Sequence, residues 1–132
     1  MIATDISRGE VLKYLENFLD YNFNSLLKTV EDSWQPADLL PDSRFDNFLD
    51  EVKMLRERAR ELSYDLFAVL IGDTITEEAL PTYESWLLST EGLSKDPDSG
   101  WMKWIRAWTA EENRHGYLLN RYLYLSGRVN MR

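Results

Sequence analysis

The run Thr109-Ala110-Glu111-Glu112-Asn113-Arg114-His115 holds the single histidine of the chain and sets a carboxylate, Glu112, one helical turn before it. Spacing of i, i+3 puts both side chains on one helix face, so a Glu-x-x-His pair offers a carboxylate oxygen and an imidazole nitrogen to the same point. An apolar stripe runs through Trp101, Trp104, Ile105, Trp108, Leu119 and Tyr122 at three- and four-residue steps, and Glu112 and His115 fall within it. Both are therefore expected on a buried face. A carboxylate there is costly unless something pairs with it, and a metal ion is the partner that also uses a neutral imidazole. Such a pair occurs by chance in many helices, and a lone histidine is often a hydrogen-bonded core residue. A second source of ligands decides between these readings. Upstream, Leu66, Val69, Leu70, Asp73, Glu77, Leu80 and Leu87 share helical spacing, which makes Glu77 another acid set among apolar residues. Two helices thus offer Glu77, Glu112 and His115.

That inventory resembles half of a ferritin-like di-iron carboxylate site, in which two helices give one Glu each and two give Glu-x-x-His. Oxygen and imidazole ligands suit iron or manganese, and zinc is compatible on ligand type alone. The chain has no cysteine to favour zinc.

The words around these residues carry a closer resemblance. They are the run from Gly72-Asp73-Thr74-Ile75-Thr76-Glu77-Glu78-Ala79-Leu80-Pro81 to Tyr83, the run from Trp104 through Thr109-Ala110-Glu111-Glu112-Asn113-Arg114-His115 to Gly116, and Leu118-Leu119-Asn120-Arg121-Tyr122-Leu123-Tyr124-Leu125-Ser126-Gly127-Arg128-Val129. Together with Trp34-Gln35-Pro36-Ala37-Asp38-Leu39-Leu40-Pro41-Asp42, they closely resemble the soluble acyl-carrier-protein desaturases. The resemblance spans nearly the whole chain after the first helix.

It implies an all-α, ferritin-like bundle and a di-iron enzyme. Such an enzyme takes a saturated acyl chain on acyl carrier protein, dioxygen and two electrons from a ferredoxin-type donor, and installs a cis double bond. It also implies a dimer for the full-length protein. Carried over residue by residue, Glu77 is a terminal iron ligand, Glu112 a bridging carboxylate and His115 the imidazole ligand. Thr76 matches a threonine beside the oxygen pocket. Trp34 and Trp108 match tryptophans thought to pass electrons inward. The remaining ligands of the family, a further Glu and a second Glu-x-x-His, have no counterpart here. The sequence is accordingly expected to be one domain, residues 1–132, forming the amino-terminal half of the catalytic bundle, as a fragment or a split product. A non-catalytic helical remnant and a different metal-binding protein on the same fold are the alternatives.

Net charge of −8 argues against nucleic acid, which needs a basic face to displace counterions. An acidic acyl carrier protein would likewise need a local basic patch. Lys53, Arg56 and Arg60 stand at i, i+3 and i+7 and could form one, against the simpler reading of a solvated face paired with Glu57 and Glu61. No apolar run is long enough for a membrane span, and the histidine boxes of integral-membrane desaturases are missing. The start, Met1 to Arg8, has neither a hydrophobic signal core nor the composition of a transit segment, which predicts a bacterial cytoplasm, or a plastid only if a transit segment has been removed.

Four helical segments are expected to position the site. Val11, Leu12, Leu15, Phe18, Leu19, Leu26 and Val30 predict a first helix from about Ser7 to Val30. A second runs from a cap at Asp42 or Ser43 to about Leu62, with Phe45, Phe48, Leu49, Val52, Leu55 and Ala59 inward. Asp65 is expected to cap the Glu77 helix, and Pro81 to kink or open it just past the ligand. The polar stretch 91–100 predicts a loop, followed by a helix from Trp101 to about Leu125 that Gly127 terminates.

Overall fold

The computed structural model describes residues 7–29 and 31–131, and among these there is no strand. Five α-helices follow one another: α1 (Arg8–Leu26), α2 (Phe48–Arg60), α3 (Tyr64–Glu78), α4 (Leu80–Leu88) and α5 (Gly100–Ser126), with a 3-10 turn at Pro36–Asp38. The all-helical expectation holds. The chain forms two compact units: residues 1–33 with 81–110, and residues 34–80 with 111–132, so α5 gives its first part to one and the rest to the other.

In the first unit, Ser7 caps α1 through a capping box, its hydroxyl accepting from the Glu10 amide while the Glu10 carboxylate accepts from the Ser7 amide at 2.9 Å. The helix ends at Leu26, short of the expected Val30, which lies outside the described residues. Asn22 and Ser25 both turn back to donate to carbonyls, of Phe18 and Asn22, an alternative to continued helix. Leu19 and Ile105 are buried, and the Trp101 indole donates to the Leu12 carbonyl at 3.0 Å, tying α1 to α5. Ser99 receives the Met102 amide and so caps α5.

In the second unit, Ala59, Phe67 and Leu123 form the buried cluster, with Leu62, Leu70, Ile71, Tyr122 and Val129 packed on it. Arg128 reaches back to the carbonyl of Ala59 and lies 4.8 Å from the Tyr64 ring centroid and 4.9 Å from that of Phe67, satisfying the end of α2. Gly127 adopts φ of 65° and terminates α5, as its position predicts.

Three local expectations are corrected. Asp42 does not cap α2: its carboxylate closes a turn with the amide and guanidinium of Arg44, and the helix begins only at Phe48. Phe45 and Leu49 are exposed as a result, while Val52 and Ala59 are buried. Ser63, rather than Asp65, caps α3 by accepting the Leu66 amide. The inward face of α3 is also rotated, with Phe67 and Thr74 buried and Leu66, Val69 and Asp73 exposed. Apolar residues surround much of α3, so spacing does not single out one stripe, and the aromatic Phe67 takes the core position. Glu77 lies seven residues after Leu70, in line with it along the helix, and is half-buried. The helix is interrupted at Ala79, just before Pro81, which has no amide to donate to the Glu77 carbonyl.

Candidate metal centre

Glu77 comes from the last turn of α3, and Glu112 and His115 from the middle of α5. One ligand atom from each lies within 4.8 Å of the others. The close approach of the two helices has a local cause in Gly116, which is buried beside His115. A methyl group at this glycine would meet Glu77 Cβ at 3.3 Å and the Glu77 carbonyl carbon at 3.5 Å.

His115 Nδ1 lies 2.9 Å from Glu112 Oε2, so this edge of the imidazole faces the carboxylates. Desolvation raises the pKa of Glu77 above its ordinary value, and the like charge of Glu112 beside it pushes the same way against a smaller opposing effect of His115. Two carboxylates converging beside an imidazole in a partly desolvated place repel each other as anions, and a bound cation relieves that repulsion. The donor set fits iron or manganese, since it is all oxygen and imidazole nitrogen. Among the described residues this is the group of acidic and imidazole side chains disposed to hold a metal.

The other residues singled out from sequence fall as follows. Trp34 stacks on the His115 ring, with centroids 5.6 Å apart and planes 8° from parallel. Trp108, in the first unit, stacks on Trp104 at 5.9 Å and 3°. Thr76, next to Glu77, is exposed and donates its hydroxyl to the Gly72 carbonyl at 3.1 Å. Lys53, Arg56 and Arg60 are all exposed, and Arg56 also donates from Nε to the Leu125 carbonyl at 3.0 Å, at the junction of α2 with the end of α5. A cavity of about 570 Å³ lies elsewhere in the same unit, lined by Leu39, Phe45, Met54, Leu55, Arg58 and Tyr122 among others, with no member of the carboxylate and imidazole cluster.

Two features had no role in the sequence reading. Gly116 was legible only as part of a family word, because nothing in a sequence says which helix face a glycine opens. Glu111 and Arg114 form an ion pair at i, i+3, and Glu111 also approaches His115, the i+4 residue; that spacing was the available signal.

Residues 7–132 match the family model described as fatty acid desaturase. The chain is 56% identical over 126 residues to a chloroplastic stearoyl-[acyl-carrier-protein] 9-desaturase of Brassica napus, covering 93% of this chain and 32% of that protein. It is 54% identical to the corresponding Ricinus communis protein and 55% identical to a chloroplastic acyl-[acyl-carrier-protein] desaturase of Cucumis sativus, with the same coverages. The chain belongs to the fatty acid desaturase family, as the resemblance implied. It spans about a third of the length of these relatives. The expectation of a bacterial cytoplasm is overturned, because the relatives are chloroplastic plant proteins. That expectation leaned on the first residues, Met1 to Arg8, and a transit segment is removed from a mature protein, so its absence there carries no information on compartment. No helix of the described residues is long and apolar enough to cross a membrane.

Proposed function

We propose that this chain carries part of the metal centre of an acyl-[acyl-carrier-protein] desaturase. The observation that carries the reading is the convergence of Glu77, Glu112 and His115, with ligand atoms within 4.8 Å, in a chain matching the desaturase family over residues 7–132. A remnant kept for packing alone would have no need to hold Glu77 and Glu112 together at the expense of their mutual repulsion.

In this reading the reaction converts two adjacent methylenes of a saturated acyl chain on acyl carrier protein to a cis double bond. Two hydrogens leave the acyl chain, and dioxygen with two electrons and two protons becomes two waters. An iron pair, when bound, would supply the redox chemistry for that exchange. Glu77 and Glu112 would hold it through carboxylate oxygens and His115 through an imidazole nitrogen, Nδ1 being the one that faces Glu112. The other ligands belong to a part of the family's bundle that has no counterpart among these residues. Residues 1–132 form part of one desaturase domain.

Trp34 stacks on the His115 ring and serves electron entry in this reading, a role that Trp108 shares. Thr76, next to Glu77, borders the oxygen pocket in this reading, with its hydroxyl bonded to the Gly72 carbonyl in the metal-free chain. A ferredoxin-type protein donates the electrons, and the compartment is the chloroplast of the relatives. Lys53, Arg56 and Arg60 supply exposed cations for acyl carrier protein, Arg56 while also donating to the Leu125 carbonyl. The full-length protein is a dimer.

The test is a chimera in which residues 7–132 replace the matching segment of the Brassica napus relative. Incubated with stearoyl-acyl carrier protein, a reduced ferredoxin and dioxygen, it should yield a monounsaturated acyl chain by gas chromatography. A folded, iron-loaded chimera that forms no such product would overturn the proposal.

A further inference from the structure

The cavity of about 570 Å³ beside α2 shares no residue with the carboxylate and imidazole cluster. Its size falls within the roughly 300–1,000 Å³ of sites that hold small organic ligands. One wall is the α2 stripe of Glu51, Met54, Leu55 and Arg58, which helical spacing sets on one face. Another is the loop from Ala37 to Asp42, with Phe45 beyond it. The loop is held in place, since Asp38 accepts the Gln35 amide at 2.7 Å and Arg121 donates to the Pro41 carbonyl at 3.4 Å. Tyr122 completes the lining and stacks on Phe67 of the buried cluster, with centroids 6.4 Å apart. Leu39, Phe45 and Met54 are 63%, 61% and 50% exposed. Large apolar side chains gathered on one cavity mark a place for an apolar guest, as the same residues scattered singly would not. Met54 adds a flexible thioether that adapts to the guest's shape.

Charge selects the guest. Each lining carboxylate already has a donor: Asp38 the Gln35 amide, Asp42 the amide and guanidinium of Arg44, and Glu51 the side-chain amide of Asn47 at 2.8 Å. The Arg58 guanidinium has five N–H donors and bonds to no other described residue. It stands two helical turns from Glu51, about 10 Å along the axis, where water and salt screen that carboxylate. The group this lining lacks is an anion at the Arg58 end.

We propose that this cavity binds a free straight-chain carboxylate, with its alkyl chain over Leu39, Phe45, Met54 and Leu55 and its carboxylate paired with the Arg58 guanidinium. A guanidinium donates two parallel N–H bonds to a carboxylate, which fixes the head while the apolar wall accepts chains of differing length. An acyl chain held as a thioester has no such head, so this guest differs from the substrate of the reaction proposed above. The inference does not rest on the reading of Glu77, Glu112 and His115 as metal ligands.

The experiment titrates decanoate, decanol and decyltrimethylammonium, each below the concentration at which it self-associates, into the metal-free chain while methyl resonances are followed by NMR. Arg58→Gln and Met54→Glu are titrated alongside, and sedimentation gives the mass of each at the working concentration. Arg58 is exposed and its side chain bonds to nothing described, so Arg58→Gln should fold as the parent does. The expected result is saturable decanoate binding that shifts the methyl groups of Leu39, Met54 and Leu55. Arg58→Gln should weaken decanoate about tenfold at low salt and leave decanol unchanged, since only the charged head uses the guanidinium. Met54→Glu should lose both, because it removes apolar wall and adds a like charge. Decanoate that does not saturate, or that shifts methyl groups elsewhere on the chain, would overturn the proposal. So would decanoate affinity indifferent to Arg58→Gln, or tighter binding of decyltrimethylammonium at these methyl groups, which would mean that the lining acids set the field. A chain that sediments as a dimer and binds decanoate only on dilution to monomer would assign the cavity to a second copy and also overturn it.

Discussion

Gly116→Ala sets two known effects against each other at the place where α5 meets α3. Replacing a glycine in a helix interior by alanine gains roughly 1 kcal/mol from backbone entropy alone. At Gly116 the new methyl group meets Glu77 Cβ at 3.3 Å and Glu77 backbone atoms at 3.5 and 3.6 Å, a contact tighter than usual and made largely with atoms that move only if α3 moves. Overpacking of this kind costs about 1–3 kcal/mol. The propensity gain is cancelled or exceeded, and the net change runs from near zero to about 2 kcal/mol destabilising. Gly72→Ala is the internal reference, because a methyl group there meets nothing within 4 Å in the middle of α3. It should stabilise the chain by about 1 kcal/mol. Denaturant unfolding of both variants should therefore separate them by about 1–3 kcal/mol, with Gly116→Ala the weaker, and only Gly116→Ala should lower divalent metal affinity, since it moves Glu77 away from Glu112. A Gly116→Ala chain as stable as Gly72→Ala, with parental metal binding, would refute the argument that close helix approach at this glycine builds the centre.

The remaining predictions concern charge and core. The Glu77 pKa is raised in the folded chain above the ordinary 4.5, so its contribution to stability is present below that pH and is lost as pH rises through the raised value. Glu77→Gln should accordingly make the metal-free chain more stable than the parent above that window, and abolish metal binding; a metal-free parent at least as stable as the variant at neutral pH would contradict the repulsion argued for the site. Leu123→Ala, at a residue 1% exposed against Ala59 and Phe67, should cost about 2–5 kcal/mol in denaturant unfolding, and a cost under 1 kcal/mol would mean that the cluster does not hold the second unit.

Helix existence and the ligand-bearing stripe of α5 were legible because the apolar spacing there is regular: Trp101, Trp104, Ile105, Trp108, Glu112, His115, Leu119 and Tyr122 are all buried or half-buried. The inward face of α3 was not legible, since Leu66, Val69, Leu70 and Ile71 surround the helix and only packing selects Leu70 and Ile71 for the core. Boundaries failed where a side chain competes with the backbone. Asp42 reads as a helix cap by type, yet its carboxylate is taken by Arg44, and no pattern in the sequence ranks those two choices. At the site, residue types and spacing pointed to Glu77, Glu112 and His115 as a group, while the stacking of Trp34 on His115 joins residues far apart in sequence and needed the fold. Arg56 is exposed as its place on the helix suggests, and only the fold shows that its Nε also donates to the Leu125 carbonyl.

The most direct test of the account is an anomalous difference map, at the iron absorption edge, from crystals of the chain grown with ferrous iron under anaerobic conditions. The account predicts a peak at coordination distance from carboxylate oxygens of Glu77 and Glu112 and from Nδ1 of His115, and no such peak in crystals of His115→Ala. Iron bound elsewhere on the chain, or a peak between Glu77 and Glu112 that persists in His115→Ala, would contradict it.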